Sequence, residues 1–303
     1  MRKWMLADIP RQDGRNAVVT GTGGLGLEVA LALASAGADV VIAGRDARKG
    51  AAAVSRIISQ YPAATVRFEA IDLASLASVA HFADRLRARQ QHLDLLVNNA
   101  GVMVPPERRE TSDGFELQFG TNHLGHFALT GRLLPLLRAS QHARVVSVSS
   151  VAARAGSTDW DDWNARADYA PMPVYARSKI ACLIFALELQ RRSAEAGWAV
   201  SSIAAHPGVA RTELLHNGPG RGSAHSIART LLPFLFQPAA QGALPLLFAA
   251  TSPDARPGGY YGPDRLGETR GHPASAKMPP QASDRTSAEE LWKLSEDVTG
   301  VRF

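Results

Sequence analysis

The chain is poor in cysteine: Cys182 is the only one in 303 residues. A single thiol excludes an internal disulfide and a cysteine-built metal site, and it fits a reducing compartment. No apolar run reaches the ~18 residues that a membrane-spanning helix needs. Residues 1–6 (MRKWML) are basic but lack the apolar centre of a signal peptide, so a cytoplasmic location is expected. Basic residues do not gather either. The 33 Lys and Arg exceed the 28 Asp and Glu by five, yet the longest basic runs are pairs such as Arg108-Arg109 and Arg191-Arg192. Nucleic acid would need a tract or patch that is missing. There is no internal repeat and no linker between two compositions, so a single domain over 1–303 is expected. With 46% hydrophobic and 20% charged residues, the chain can bury a sizeable core.

What is present is alternation. Strand-like apolar runs fall at 17–20, 39–43, 66–70, 93–97, 144–148 and 200–204. Helical patterns lie between them at 25–36, 47–60, 76–89, 113–139 and 174–196. Near-continuous apolar strands argue for burial on both faces. The fold class expected is α/β: a doubly wound parallel sheet of Rossmann type with helices on both faces. Asp113, three residues before Glu116, has the spacing of a capping box for the fourth helix. Gly37 and Gly197 stand where left-handed C-caps are expected. After Pro207 the texture changes. Residues 208–236 read as a loop on the substrate side, 227–250 as helical with Pro233 and Pro245 as interruptions, and 258–262 as a last strand. The remainder, 263–303, reads as an irregular extension to about 285 with a short helix near 287–297.

Gly21-Thr22-Gly23-Gly24-Leu25-Gly26 fits G-x-G-x-x-G between a strand and a helix. Glycines there permit a tight turn and close backbone approach, and a pyrophosphate can sit on the helix N-terminus. The alternative is a glycine-rich turn without a ligand. If the ligand were NAD, the second strand should end on a carboxylate that binds the ribose 2′-hydroxyl. Here Gly44 and Arg45 follow instead. A guanidinium at that place suits a 2′-phosphate, so NADP(H) is favoured. NAD(H) stays open because Asp46 is next.

Tyr175 and Lys179 are four apart on a predicted helix and share one face. A phenol ordinarily titrates near ~10, and a nearby ammonium favours its ionised form. Such a pair can protonate a carbonyl oxygen as hydride arrives, or deprotonate an alcohol in reverse. Ser149 and Ser150 follow the fifth strand, at the sheet edge where α/β sites lie. Either could bond a carbonyl oxygen or simply cap a turn.

Thr20-Gly21 with the glycine turn, Asp72-Leu73, Asn98-Asn99-Ala100-Gly101, Asn122, Val148-Ser149-Ser150, Tyr175-x-x-x-Lys179 and Pro207-Gly208 occur in one order. Together they resemble the short-chain dehydrogenase/reductase family across roughly residues 15–250. The resemblance implies Tyr175 as acid/base and Lys179 as its partner, which also holds the nicotinamide ribose. Ser150 matches the serine that polarises the carbonyl, and Asn122 the asparagine that holds a water in the proton relay. For the cofactor, the resemblance implies the turn from Gly21 through Gly23, Gly24 and Leu25 to Gly26, together with Leu73, Ala100 and Gly101. Asp72 would meet the adenine amino group and Asn98 the adenosine-side ribose. Pro207, Gly208, Val209 and Thr212 would clasp the nicotinamide amide. A finer resemblance is to the retinol-dehydrogenase-like branch. It rests on the 25-position spacing from Ser150 to Tyr175, with Trp160 and Trp163 between them, on 175–179 followed by 185–189, and on His206-Pro207-Gly208.

One departure stands out. Only Thr22 and Gly23 lie between Gly21 and Gly24, so the loop is one residue shorter than the family's Thr-Gly-x-x-x-Gly-x-Gly. Three readings follow: an NADP(H)-dependent oxidoreductase of apolar aldehydes, ketones or alcohols; an NAD-linked dehydrogenase; and a protein that binds cofactor without turnover. His123 and His126 share a helix face, but no third ligand has suitable spacing, so packing rather than metal is expected. Cys182 reads as a small core residue. The apolar patch at 231–236 reads as core, with a substrate pocket as the next choice. The segment around Trp160 and the loop 212–236 are expected to set substrate preference. Helices 113–139 and 174–196 could pair two copies into a homodimer.

Overall fold

The computed structural model describes residues 3–210 and 237–303. Thr212, Pro233, the 231–236 patch and most of the 208–236 loop lie outside the described residues. One sheet runs in the order β3-β2-β1-β4-β5-β6-β7-β8. Its strands are β1 (Asn16–Thr20), β2 (Asp39–Gly44), β3 (Val66–Ala70), β4 (Leu95–Asn98), β5 (Ala143–Val148), β6 (Val200–Ala205), β7 (Tyr260–Arg265) and β8 (Arg270–Ser275). All neighbours are parallel except β7 and β8. The helices are α1 (Gly24–Ser35), α2 (Ala47–Gln60), α3 (Leu76–Arg89), α4 (Leu117–Phe119), α5 (Gly125–Arg138), α6 (Pro171–Glu195), α7 (Ala239–Thr251) and α8 (Arg285–Thr299).

The strands read as apolar runs because both faces are covered. Ala17, Val19, Val40 and Ile42 pack with α1 and α7, whereas Val18 and Val41 pack with α3, α5 and α6. Side chains alternate across a strand, so neighbouring residues supply two separate cores.

Three expectations need correction. The fourth helical stretch does not begin at Asp113. Gly114 takes a left-handed φ of 81°, and the helix starts after Glu116, whose carboxylate accepts the Phe119 N–H at 2.7 Å. Asp113 instead accepts the Leu76 N–H at 2.9 Å, serving the first turn of α3. The run to Arg138 is also broken by a π turn at Gly120–Leu124. Secondly, 263–285 is not irregular, because β7 continues through Pro263 and pairs with β8. The two prolines face each other across the pair (Pro263 opposite Pro273) beside a register shift. Proline is tolerated at an edge or a bulge, and its presence hid the hairpin from a reading by composition. Lastly, α6 starts at Pro171 rather than Val174, with proline in the first turn, where a missing N–H costs no hydrogen bond.

The outer face of α5 and α6, expected to pair two copies, is taken by the chain's own end. Trp292 of α8 lies 5.2 Å from Phe127 and 5.9 Å from Phe185, ring to ring, and Phe303 closes on Trp292 at 4.6 Å. A methyl at Gly131 of α5 would come within 2.6 Å of Val301. The C-terminal helix α8 and residues 301–303 therefore cover part of this face.

An acidic residue ties α8 down. Glu188 accepts bonds from Arg191 at 2.6 and 2.8 Å and from Arg192 at 2.6 Å. The Arg192 guanidinium sits 4.3 Å from the Trp292 ring centre. Burial works to raise the Glu188 carboxyl, but the two guanidiniums outweigh it and hold it below its ordinary 4.5. Stability from this group is therefore present above that ordinary value and lost as pH falls through the lower folded one. The melting temperature should drop on acidification below about pH 4.5, and Glu188→Gln should flatten that drop. An unchanged acid limb in a melting series would remove Glu188 from the account.

Candidate active site

Strand order reverses between β1 and β4, where the carboxyl ends of an α/β sheet open a crevice. A cleft of about 330 Å³ lies there, walled by 21–25 after β1, 43–46 with Lys49 after β2, Ile71 and Leu73 after β3, and 99–102 after β4. The glycine turn is built for close approach. Gly21 has φ 104°, and a methyl on it would lie 2.8 Å from Asn99 Nδ2. A methyl on Gly26 would lie 2.5 Å from the Gly21 carbonyl oxygen, so the third glycine seats α1 on the turn. The shorter loop enters α1 through Gly24 in a left-handed conformation (φ 52°), with Gly23 as the N-cap. It still borders the cleft along 21–25.

At the far end of β2, Arg45, Asp46 and Lys49 line the cleft mouth. Asp46 is committed to capping α2, its Oδ1 accepting the N–H groups of Arg48 at 2.9 Å and Lys49 at 3.1 Å. Those bonds hold its carboxyl below the usual range. Arg45 is well exposed and pairs only loosely with Asp72, at 4.0 Å. The Asp72 Oδ1 also accepts the Ala74 N–H at 3.0 Å.

Asn98 is a correction. Its side chain is buried and donates to Thr130 Oγ1 at 3.0 Å, inside the helix layer beneath the sheet edge. Asn99 borders the cleft instead, its Nδ2 donating to the Thr20 carbonyl at 2.7 Å. Thr20 is a hub: its Oγ1 accepts the N–H groups of Asn99 and Ala100, both at 2.9 Å. The same hydroxyl meets His126 Nε2 at 2.9 Å. Burial pushes His126 down to about 4 and His123 to about 3, so both imidazoles are neutral at pH 7. His123 meets Ser295 Oγ of α8 at 2.7 Å. Both histidines are core.

The reaction-side residues converge from β5, α6 and the π turn. Lys179 is buried, donates to the Val148 carbonyl at 3.0 Å, and has its Nζ 5.9 Å from the Tyr175 ring centre. Ser149 donates to the Lys179 carbonyl at 2.8 Å. Ser150 Oγ accepts the Ala152 N–H at 3.2 Å as N-cap of the helical turn Val151–Ala155. Among the described residues no acceptor takes its hydrogen. Gly101 leaves room for this group: a methyl there would sit 2.9 Å from Asn122 Oδ1 and 3.6 Å from Lys179 Nζ.

The Asn122 amide bonds both backbone groups of Val102 (2.8 and 3.0 Å) and Ser178 Oγ (2.9 Å). Its carbonyl takes His126 Nδ1 at 2.9 Å and the Cys182 thiol at 3.2 Å. The π turn thus makes Asn122 a brace between the loop after β4 and α6. Burial pushes the Cys182 thiol up, as befits a core residue.

Beyond β6 the arrangement differs again. The Val209 N–H, expected to help clasp an amide, donates to the Thr269 carbonyl at 2.8 Å. The Pro207 carbonyl accepts Gln237 Nε2 at 2.5 Å, and Gly208 is left-handed at φ 65°. Trp160, expected to shape substrate preference, is buried against Phe119 and donates to Ser287 Oγ of α8 at 3.0 Å. It belongs to a core cluster. Lys49 and Glu268 are neighbours of the site outside the motifs, and Asn99 and His206 stood in motifs without an assigned role. Asn99 could have been found from strand alternation, which puts adjacent asparagines on opposite faces.

Over residues 15–219 the chain matches the family described as short chain dehydrogenase. It is 42% identical to polyprenol dehydrogenase of Mus musculus, over 97% of this chain and 86% of that one. It is 38% identical to retinol dehydrogenase 13 of Homo sapiens, over 95% and 85%. Among solved structures, an uncharacterized protein from Mycobacterium Paratuberculosis superposes with a TM-score of 0.81 at 39% identity, over 100% of this chain and 99% of that one. The Pseudomonas aeruginosa RhlG/NADP active-site complex gives 0.65 at 25% identity, over 82% and 94%. Among the described residues, no helix is long and apolar enough to cross a membrane.

Proposed function

The chain belongs to the short-chain dehydrogenase family and is an oxidoreductase of CH–OH or C=O groups, and from that premise we propose that it moves hydride between NADP(H) and an apolar carbonyl compound or its alcohol. The observation that carries the reading is Lys179, its Nζ set between the Tyr175 ring and the Val148 carbonyl at the end of β5, two residues before Ser150, and close to Gly101 in the loop after β4 that walls the cleft. Bound NADP(H) supplies or accepts the hydride. The chain's own residues do the rest. The Tyr175 phenol gives its proton to the carbonyl oxygen, and the Ser150 hydroxyl donates to the same oxygen. The Lys179 ammonium stabilises negative charge as it forms on the phenolic oxygen. Asn122 keeps the loop at 101–102 fixed against α6.

The cofactor residues fit a dinucleotide. Gly21 and Gly26 leave a cradle that side chains would fill. At the ribose end, Asp46 is occupied as a cap while Arg45 and Lys49 border the cleft, which favours a 2′-phosphate over a bare hydroxyl. A relative solved with NADP supports the same preference. Polyprenol and retinol, named in two relatives, are both isoprenoid alcohols, so the substrate class proposed is a long apolar isoprenoid aldehyde or alcohol. Arg45→Ala should raise the Kd for NADPH about tenfold and leave NADH unchanged. Titrations followed by nicotinamide fluorescence test this. Equal shifts for the two cofactors would defeat the 2′-phosphate role.

A further inference from the structure

We propose that Glu268, at the tip of the β7–β8 hairpin, is a positioning residue that sets the segment carrying Ser150 against the turn at 207–209. The proposal rests on the oxidoreductase reading above and adds a residue from a stretch that carries none of the family's motifs.

Three successive hairpin residues grip the two segments. The Gly267 carbonyl accepts Arg154 Nη1 at 3.1 Å. The Glu268 carboxylate accepts Arg154 Nη2 at 2.6 Å, His206 Nε2 at 3.0 Å and the Lys277 N–H at 2.8 Å. The Thr269 carbonyl accepts the Val209 N–H at 2.8 Å. Arg154 lies in the short helical turn that Ser150 caps. His206 directly follows β6 and is fully buried.

The hydrogen bonds fix the state of His206. Its Nδ1 accepts the Gly208 N–H at 3.2 Å, so Nε2 carries the ring hydrogen and donates it to Glu268. Burial pushes this imidazole down, with Arg154 acting in the same direction, and Glu268 offsets only part of it. The contact is therefore a hydrogen bond from a neutral ring, and Arg154 is the counter-charge. Burial would raise the Glu268 carboxyl, but His206, the Lys277 N–H and Arg154 together hold it below its ordinary range. Gly262 gives the ring its space, since a methyl there would collide with His206 Nε2. The grip is costly locally, because Leu266, Gly267 and Glu268 all have positive φ (49°, 65° and 69°). Non-glycine residues hold such angles where the surroundings over-determine them.

One carboxylate thus joins the turn after β5 to the turn after β6. The test compares wild type, Glu268→Ala and Glu268→Gln in three readouts: Kd for NADPH, Kd for the adenosine bisphosphate fragment that lacks nicotinamide, and kcat for carbonyl reduction. Alanine should weaken NADPH binding about tenfold and lower kcat, with the fragment bound as in wild type. Glutamine keeps an acceptor for His206 but loses the charge facing Arg154. It should therefore retain NADPH affinity and still lower kcat, which carries the test should the alanine variant not fold. Wild-type behaviour of both variants would overturn the proposal, as would equal losses for NADPH and the fragment, the mark of general damage. Wild-type protein that binds neither ligand would instead remove the oxidoreductase reading, and this proposal with it.

Discussion

Replacing Tyr175 with phenylalanine should cut carbonyl turnover by about 10²–10⁴-fold, the usual share of a positioned general acid or base, while NADPH binds as before. The phenol is one oxygen on a ring that is already packed, since Tyr175 is only 5% exposed. Phenylalanine keeps that packing and removes the proton. Lys179 would stay in place, because its bond to the Val148 carbonyl does not involve the phenol. The split between kcat and cofactor Kd is the diagnostic. A fall in both would point to a damaged site, and a fall in neither would sink the assignment of Tyr175.

Trp292→Ala should cost about 3–5 kcal/mol of unfolding free energy, as for other buried aromatic truncations. The indole is 3% exposed and touches Phe127, Phe185 and Phe303, with Arg192 stacked on it. Its removal leaves a hole between α5, α6 and α8 that rigid helices cannot close. Chemical denaturation followed by far-UV circular dichroism measures the loss. A cost under about 1 kcal/mol, the range of an exposed substitution, would mean that α8 contributes little to the docked face. Because α8 covers the face on which two copies were expected to pair, a weakened α8 should also favour self-association at high concentration, readable by light scattering.

Much of the fold was legible because parallel strands buried on both faces leave a strong signal: β1 to β6 begin or end within two residues of the apolar runs. The hairpin β7–β8 was not, because its composition is that of a loop, with Pro263 facing Pro273 beside a register shift. Spacing did place residues: the glycine turn and Arg45 border the cleft, and Lys179 lies beside the Tyr175 ring. The site was illegible where a residue's direction depends on tertiary packing. Asn98 turned into the core and left Asn99 at the cleft. The hydrogen-bonding capacity of Asn122 was spent on Val102, Ser178, His126 and Cys182. Trp160 packed on Phe119 and α8 rather than facing a substrate. Glu268 could not have been singled out at all, since its partners Arg154 and His206 lie 114 and 62 positions away in the chain (268 − 154 and 268 − 206).

The most direct test follows the hydride itself. Wild-type protein is mixed with NADPH carrying deuterium at the transferable nicotinamide position and with an isoprenoid aldehyde such as retinal, and the product is read by mass spectrometry. The account predicts an alcohol with one deuterium on the former carbonyl carbon, formed far more slowly by Tyr175→Phe. Bound NADPH that keeps its deuterium in the presence of retinal, longer isoprenoid aldehydes and apolar ketones would contradict it.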